Sequence, residues 1–296
     1  MATLGRALAE VTSAAEPLIL DVVPRDGSPA MAELAGEAPF RAPGWETPLM
    51  NAATSSMFLA AAAVDATRGV AGLLSTNLLV WAPIHLARAA LDAAGYAYWL
   101  DEPHIGTEAR AKRSLAFRMF SASGLARAPT AVTAAKDKSS EVADSVREVA
   151  AQLGWTVISR NQQRKNQPVF VDDQAVPHRR DAIHNVLAHQ QPDRYDSAAD
   201  ITWWWYSNIA HSSPWALMQF VDRSAAEPLG VPGVTSAPLM IDGHQLLIAA
   251  AHAGFGVIGA ASVHADLLGL DPSGLDQAAH GFRVTLGELN KALGRH

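Results

Sequence analysis

From its first residues the chain places apolar side chains at helical spacing. Residues 2–15 keep a 3.6-residue period, while Pro24–Pro48 is a proline- and glycine-rich connection without one. Asn51–Leu74 reads as an alanine-rich helix. Pro83 suits the first turn of a second helix running to about Asp101, because the N–H that proline lacks has no helical partner there anyway. Thr107 caps a third helix to about Ser123, and Ser139 or Ser140 begins a fourth that ends near Leu153. Over Trp155–Val171 the character changes: WTVISR and PVFV are short β-branched runs flanking NQQRKN, a hairpin signal. Helices follow over Arg179–His189 and Ile201–His211 and again from Pro214, which Ser212 and Ser213 precede as a cap. A long apolar helix over about Pro238–Leu268 and an amphipathic one over Leu275–Leu293 end the chain. The pattern predicts a mainly α fold: a single large helical bundle over residues 51–296, with a small β-hairpin insertion near 155–171. An N-terminal helix and the Pro/Gly-rich connection occupy residues 1–50.

Composition changes this picture only at its edges. At 296 residues the chain needs no disulfide or metal to hold its core, and the absence of cysteine fits a reducing cytoplasm. The opening residues lack the basic-then-apolar layout of a signal peptide, so a cytoplasmic protein is expected. Hydrophobic residues make up 49% and charged ones 18%, which raises the question of a membrane. Asp65, Arg68, Arg88 and Asp92 interrupt the apolar stretch Met57–Leu100, and Leu246–Val263 carries His252 and three glycines. Core helices of a soluble bundle are the expected reading. A net charge of −6 argues against nucleic-acid binding by bulk attraction. Locally, Arg110–Lys138 holds seven basic residues against Asp137 alone, and His178-Arg179-Arg180 follows. Solvated helix faces or an anion-facing surface both fit that excess.

The helix after Trp81 is apolar nearly all round, as a buried helix is, yet His85, Arg88, Asp92 and Tyr96 follow one another in steps of three, four and four along one face. A buried arginine and aspartate must be paired. The stripe is therefore either a bundle-core ion pair beside a histidine, or a pocket floor. In the second case Arg88 holds an anionic group, Asp92 orients or activates, and His85 titrates beside them.

Half of the eight tryptophans sit in ADITWWWYSNIAHSSPWALMQF. On a helix Trp204, Ser207 or Asn208, and His211 share a side, so the run reads as two helices meeting at a corner, with an aromatic wall beside a histidine suited to proton transfer. A satisfied core histidine is the alternative there, and equally at His252, which small residues flank. HExxH, the P-loop pattern and GxSxG are absent, so no metal and no cofactor is expected. Gly254-Phe-Gly256-Val-Ile-Gly259 matches GxGxxG by letter. It lies in an apolar helix with no strand before it, so it is not read as a dinucleotide site.

Arg88-Ala89-x-x-Asp92 and Trp99-Leu100-Asp101, taken with Ser207-x-x-x-His211-x-x-x-Trp215, resemble a group of actinobacterial helical proteins that look distantly related to the HEPN superfamily, over roughly Leu78–Leu217. The resemblance implies a helical bundle with ribonuclease, toxin or phage-defence ancestry. The superfamily's nuclease signature sets an arginine four to six residues before a histidine. Ahead of His211 stand Trp204, Trp205 and Tyr206 instead, while Arg179 to His184 has the spacing outside the quoted motifs.

The first functional expectation is a small-molecule enzyme acting by cofactor-free acid–base chemistry, an elimination or cyclisation, on an anionic metabolite. His211, Asp92 and His85 would be catalytic. Arg88, Tyr96, Trp99, Arg113, Trp204, Ser207, Trp215 and His252 would line a pocket between the Trp81–Trp99 helix and the Trp203–Trp215 corner. A HEPN-like nucleic-acid-processing module and a non-catalytic helical partner protein are the other two expectations, and a homo-oligomer or protein partner stays open.

Overall fold

A computed structural model describes residues 1–76, 81–125, 133–158, 169–190, 198–211, 213, 218, 220–228, 235–237 and 242–294. Of the described residues 76% are helical, so the fold is mainly α. The helices are α1 (Ala2–Leu20), α2 (Pro29–Ala35), α3 (Pro48–Leu74), α4 (Ala82–Asp101), α5 (Thr107–Leu125), α6 (Thr133–Gln152), α7 (Arg179–Gln190), α8 (Ala198–Ala210), α9 (Gly243–Leu268) and α10 (Ser273–Leu293). NQQRKN, Pro214 and Trp215 lie outside the described residues.

Several boundaries differ from the sequence reading: α1 runs on to Leu20, α3 begins at Pro48 and α8 at Ala198, and Thr107 stands inside α5 with its hydroxyl donating to the Glu33 carbonyl. Three more have a local reason. The Pro24–Pro48 connection contains α2 and a single 3-10 turn over Ala38–Phe40. Seven residues are too few to show a period, but Ser28 accepts from the Met31 N–H at 3.3 Å and Pro29 opens the helix, a start signal that stood in the sequence. α6 begins at Thr133, ahead of Ser139, whose hydroxyl is buried and donates to the Ala122 carbonyl on α5 at 2.7 Å instead of capping. α9 starts at Gly243, where Asp242 and Gln245 form a capping box.

α4 is the central element and packs against α3, α5, α7, α8 and α9. Its wet face is as narrow as the sequence implied: Ile84, Ala87, Ala90, Leu91, Ala94 and Leu100 are fully buried. α1, through Leu4, Leu8, Val11, Ala15 and Ile19, is part of the same core with α3, α9 and α10. A second core forms where Tyr96, Trp99 and Leu100 of α4 meet α5, α6 and a small sheet. In that sheet β1 (Val157–Ile158) pairs antiparallel with β2 (Phe170–Val171), setting Val157 opposite Val171, and β2 pairs with a third strand, β3 (Gln174–Ala175). β4 (Glu227–Pro228) and β5 (Thr235–Ser236) make a separate pair.

Glycines set the close crossings. A Cβ at Gly95 would stand 2.7 Å from the Ala182 carbonyl carbon, so α4 and α7 touch backbone to backbone there. The GxGxxG letters have the same explanation. Gly254 faces the Phe282 ring, Gly256 faces Leu91 and Gly259 faces Val186, so three glycines let α9 approach α10, α4 and α7.

α3 and α9 are long and apolar enough to cross a membrane by length and composition. Of the most apolar window of each, 44% and 78% is buried inside the bundle. The exposed side of α3 also carries Arg68, which meets Glu16 of α1 in a two-bonded pair.

Candidate functional site

Arg88 and Asp92 point into the seam where α7 and α8 lie across α4. Arg88 is 8% exposed and fully engaged along one edge: its Nε donates to Asp92 Oδ1 at 3.0 Å, one terminal nitrogen donates to the Trp203 carbonyl at 3.3 Å, and the guanidinium lies 5.7 Å from the Trp203 ring centroid. The other Asp92 oxygen faces Arg179 of α7 at 3.9 Å, and the Arg179 side chain is 58% exposed. His178 stands edge-on to Trp203, its centroid 5.5 Å away, and its Nδ1 accepts from the Arg180 N–H. Desolvation raises the Asp92 pKa above the ordinary 3.8, against the opposing pull of Arg88, Arg179 and His178. A half-buried carboxyl thus sits between one buried and one exposed arginine, with its second oxygen toward the open side.

The remaining sequence candidates divide among other places. His85, one turn before Arg88, is exposed. Tyr96 packs with Phe117 and Phe120 in the second core, and Trp99 lies under Arg113 at 5.2 Å. Arg113 donates to the Trp99 carbonyl, Glu102 and Gln174, tying α5 to the end of α4 and to β3. From Arg88 to Trp99 is about 16 Å of helix at 1.5 Å per residue, too far for one small pocket to use both. His252 is buried on α9, where its Nδ1 meets the Tyr206 hydroxyl at 3.0 Å and burial pushes its pKa down to about 4. Trp204 is 47% exposed, and its carbonyl accepts from Asn208. Ser207 is half-buried, with its carbonyl accepting the His211 N–H at 3.0 Å. The His211 side chain is exposed, about 12 Å along the α8 axis from Trp203 at helical rise. Trp215 lies outside the described residues.

The aromatic run therefore does two jobs on its two sides. Tyr206 is buried, and with Trp205, Phe220 and Trp81 it builds an aromatic layer over α9 and the start of α4. Trp203 turns to the seam. The indole N–H groups of Trp81 and Trp203 are buried without an acceptor among the described residues.

Arg179 and His178 were not among the sequence candidates for this site. The basic triplet His178-Arg179-Arg180 was visible, but its partner Asp92 lies 87 residues earlier and no local pattern joins them. The basic excess after Arg110 is largely spoken for. Arg110 makes a buried fork on Glu33 and donates to the Leu100 and Glu102 carbonyls, Lys112 meets Glu108 and Asp172, and Lys138 meets Glu141. Among the described residues no group of three or more His, Asp or Glu side chains stands close enough to hold a metal ion. No protein-family model, curated protein or solved structure matches this chain.

Proposed function

We propose that the protein is a small-molecule enzyme that carries out cofactor-free acid–base chemistry, of the elimination or cyclisation type, on an anionic metabolite at the α4–α7–α8 seam. One observation carries this reading: Asp92 is withdrawn from water far enough to raise its pKa, yet open on the side where Arg179 stands. In the proposed step Asp92 takes a proton from a substrate carbon. The C–H electron pair becomes the new bond, and the leaving group departs with its own pair toward Arg179, which offsets the charge. Asp92, now neutral, returns the proton to the leaving group. Arg88 keeps the carboxylate aimed. A role in bacterial specialised metabolism accords with the actinobacterial resemblance.

The experiment is incubation of the protein with a bacterial metabolite extract, followed by mass spectrometry. Depletion of an anionic compound, with appearance of an isomer or a lighter elimination product, is expected for the wild type and not for Asp92→Asn. Identical profiles for both proteins overturn the proposal.

A HEPN-like nucleic-acid-processing role has one observation in its favour: Arg179 and Arg180 are exposed at the start of α7, one turn ahead of His184. It predicts RNA binding that weakens steeply as salt rises.

A further inference from the structure

At the far end of α4 a different polar cluster is sealed inside the bundle. Asp101 and His264 are each 1% exposed and Ser56 is fully buried. One carboxylate oxygen of Asp101 takes both neighbours: the Ser56 hydroxyl donates to it at 2.5 Å and His264 Nδ1 meets it at 2.7 Å. The other His264 nitrogen, Nε2, donates to the Asp21 backbone carbonyl at 3.1 Å. With Nε2 carrying a hydrogen, the Nδ1–carboxylate contact needs one further proton between its two atoms. Without it the ring keeps one hydrogen, which the Asp101 carboxylate draws to Nδ1, and the Nε2 lone pair then faces the Asp21 carbonyl, so the bond to that segment is lost. The geometry thus stores one proton at the junction of α1, α3, α4 and α9.

Beside this junction lies an apolar cavity of ≈ 30 Å³, lined by Val22, Ala53, Leu49, Leu267 and Leu268, with Glu33 and Arg110 closing it as a pair. Ala53 and Leu267 each stand three residues from a member of the cluster, and Val22 follows Asp21 directly. The segment Asp21–Ser28 runs along one wall of the cavity. Three contacts hold it down: the His264 bond to Asp21, the Arg25 N–H donating to the Leu268 carbonyl at 2.8 Å, and Ser28 against Gly269. Val23 on this segment is 60% exposed and Met50 on the cavity rim 39%, while Ala30 and Leu34 of α2 complete the lining.

We infer that Asp21–Ser28 is a strap over the apolar cavity and that the Asp101–His264 proton bridge is its latch, which opens when the proton is lost. The charged groups facing the bridge from the packed elements are Asp101 itself from α4, and Asp21 with its ion-pair partner Arg25 on the strap. Burial opposes a charge on His264, while Asp101 and Asp21 favour it, and the balance lies above the ordinary histidine value. The sign follows. A group whose folded pKa is raised stabilises the closed form fully below the unfolded value and stops doing so as pH climbs through the folded one. The strap therefore loosens on the alkaline side.

The chain has no cysteine, so a single introduced thiol reports on the cavity. Leu267→Cys places it on the cavity wall, and Val284→Cys on exposed α10 is the control whose labelling carries the ordinary pH dependence of a thiol. The iodoacetamide labelling rate of the first divided by the second is measured as pH rises, with far-UV circular dichroism recorded alongside. Loss of one proton on opening predicts a ratio that grows by up to about tenfold per pH unit. The dichroism stays unchanged, and the growth is abolished in Asp101→Asn, whose amide can hold the ring without titrating. A flat ratio in the single-cysteine protein overturns the latch whether or not the Asp101 variant folds. Growth that persists in Asp101→Asn, or that coincides with loss of helix, overturns it too.

Discussion

Asp92 is where two opposing forces meet. Withdrawal from water favours the neutral acid, Arg88 and Arg179 favour the anion, and withdrawal wins. Taking away Arg88 removes the nearer cation and leaves a carboxyl in the same dry place. Arg88→Ala should therefore destabilise by about 2–3 kcal/mol, the cost of an orphaned partly buried charge, read as a shift in urea midpoint at neutral pH. Arg179 is mostly in water and stabilises little, so Arg179→Ala should leave the midpoint within about 0.5 kcal/mol of wild type. In the enzyme reading it should lower kcat by about tenfold to a hundredfold, as loss of one charge-assisted contact to the departing group does, read from steady-state kinetics.

Along the elements, glycine contacts decide which helices can cross. Alanine is the better helix former, by about 1 kcal/mol over glycine. Gly95→Ala is nonetheless expected to cost about 1–3 kcal/mol, because its Cβ meets the Ala182 backbone, which cannot swing aside as a side chain can. Urea unfolding checks this, and a stabilised Gly95→Ala would mean that α4 and α7 are not in backbone contact. The same elements show what a sequence can reveal. The buried character of α4 and its Arg88–Asp92 pair were legible because both follow from spacing within one helix. That strands form near Trp155–Val171 was legible from two β-branched runs, while the register that sets Val157 opposite Val171 was not. Which element lies over Asp92 was not, since α7 meets α4 through Gly95 and Ala182, residues whose types alone name no partner. The sidedness of the aromatic run was not legible: Tyr206 faces the core, Trp203 the seam, and Trp204 is 47% exposed.

For the whole molecule, two buried histidines pull stability in opposite directions with pH. His252 stays neutral until about pH 4, so the unfolded chain binds a proton that the folded one refuses, and stability falls as pH drops below the ordinary 6.5. The full effect is about 3 kcal/mol by linkage. His264 is raised, so its contribution is intact below 6.5 and is lost as pH rises through its folded value. Urea midpoints followed from about pH 4 to about pH 9 should trace a maximum between these limbs, and Asp101→Asn should flatten the alkaline limb alone.

The charge pattern also reads differently at this scale. The basic excess between Arg110 and Lys138 looked like a surface, but Glu33, Glu102, Glu108, Asp172 and Glu141, supplied from before and after it, answer much of it. The start of α7, beside Asp92, also presents exposed cationic side chains, Arg179 and Arg180.

The claim on which the functional account turns is that the Asp92 carboxyl is a poised proton acceptor at an open seam. Carbon-13 NMR titration of its side-chain carboxyl, assigned by the signal missing in Asp92→Asn, measures this directly. The account predicts a midpoint above 3.8 that climbs further in Arg179→Ala. A midpoint at or below 3.8, unmoved by that substitution, would show an ordinary surface ion pair and contradict it.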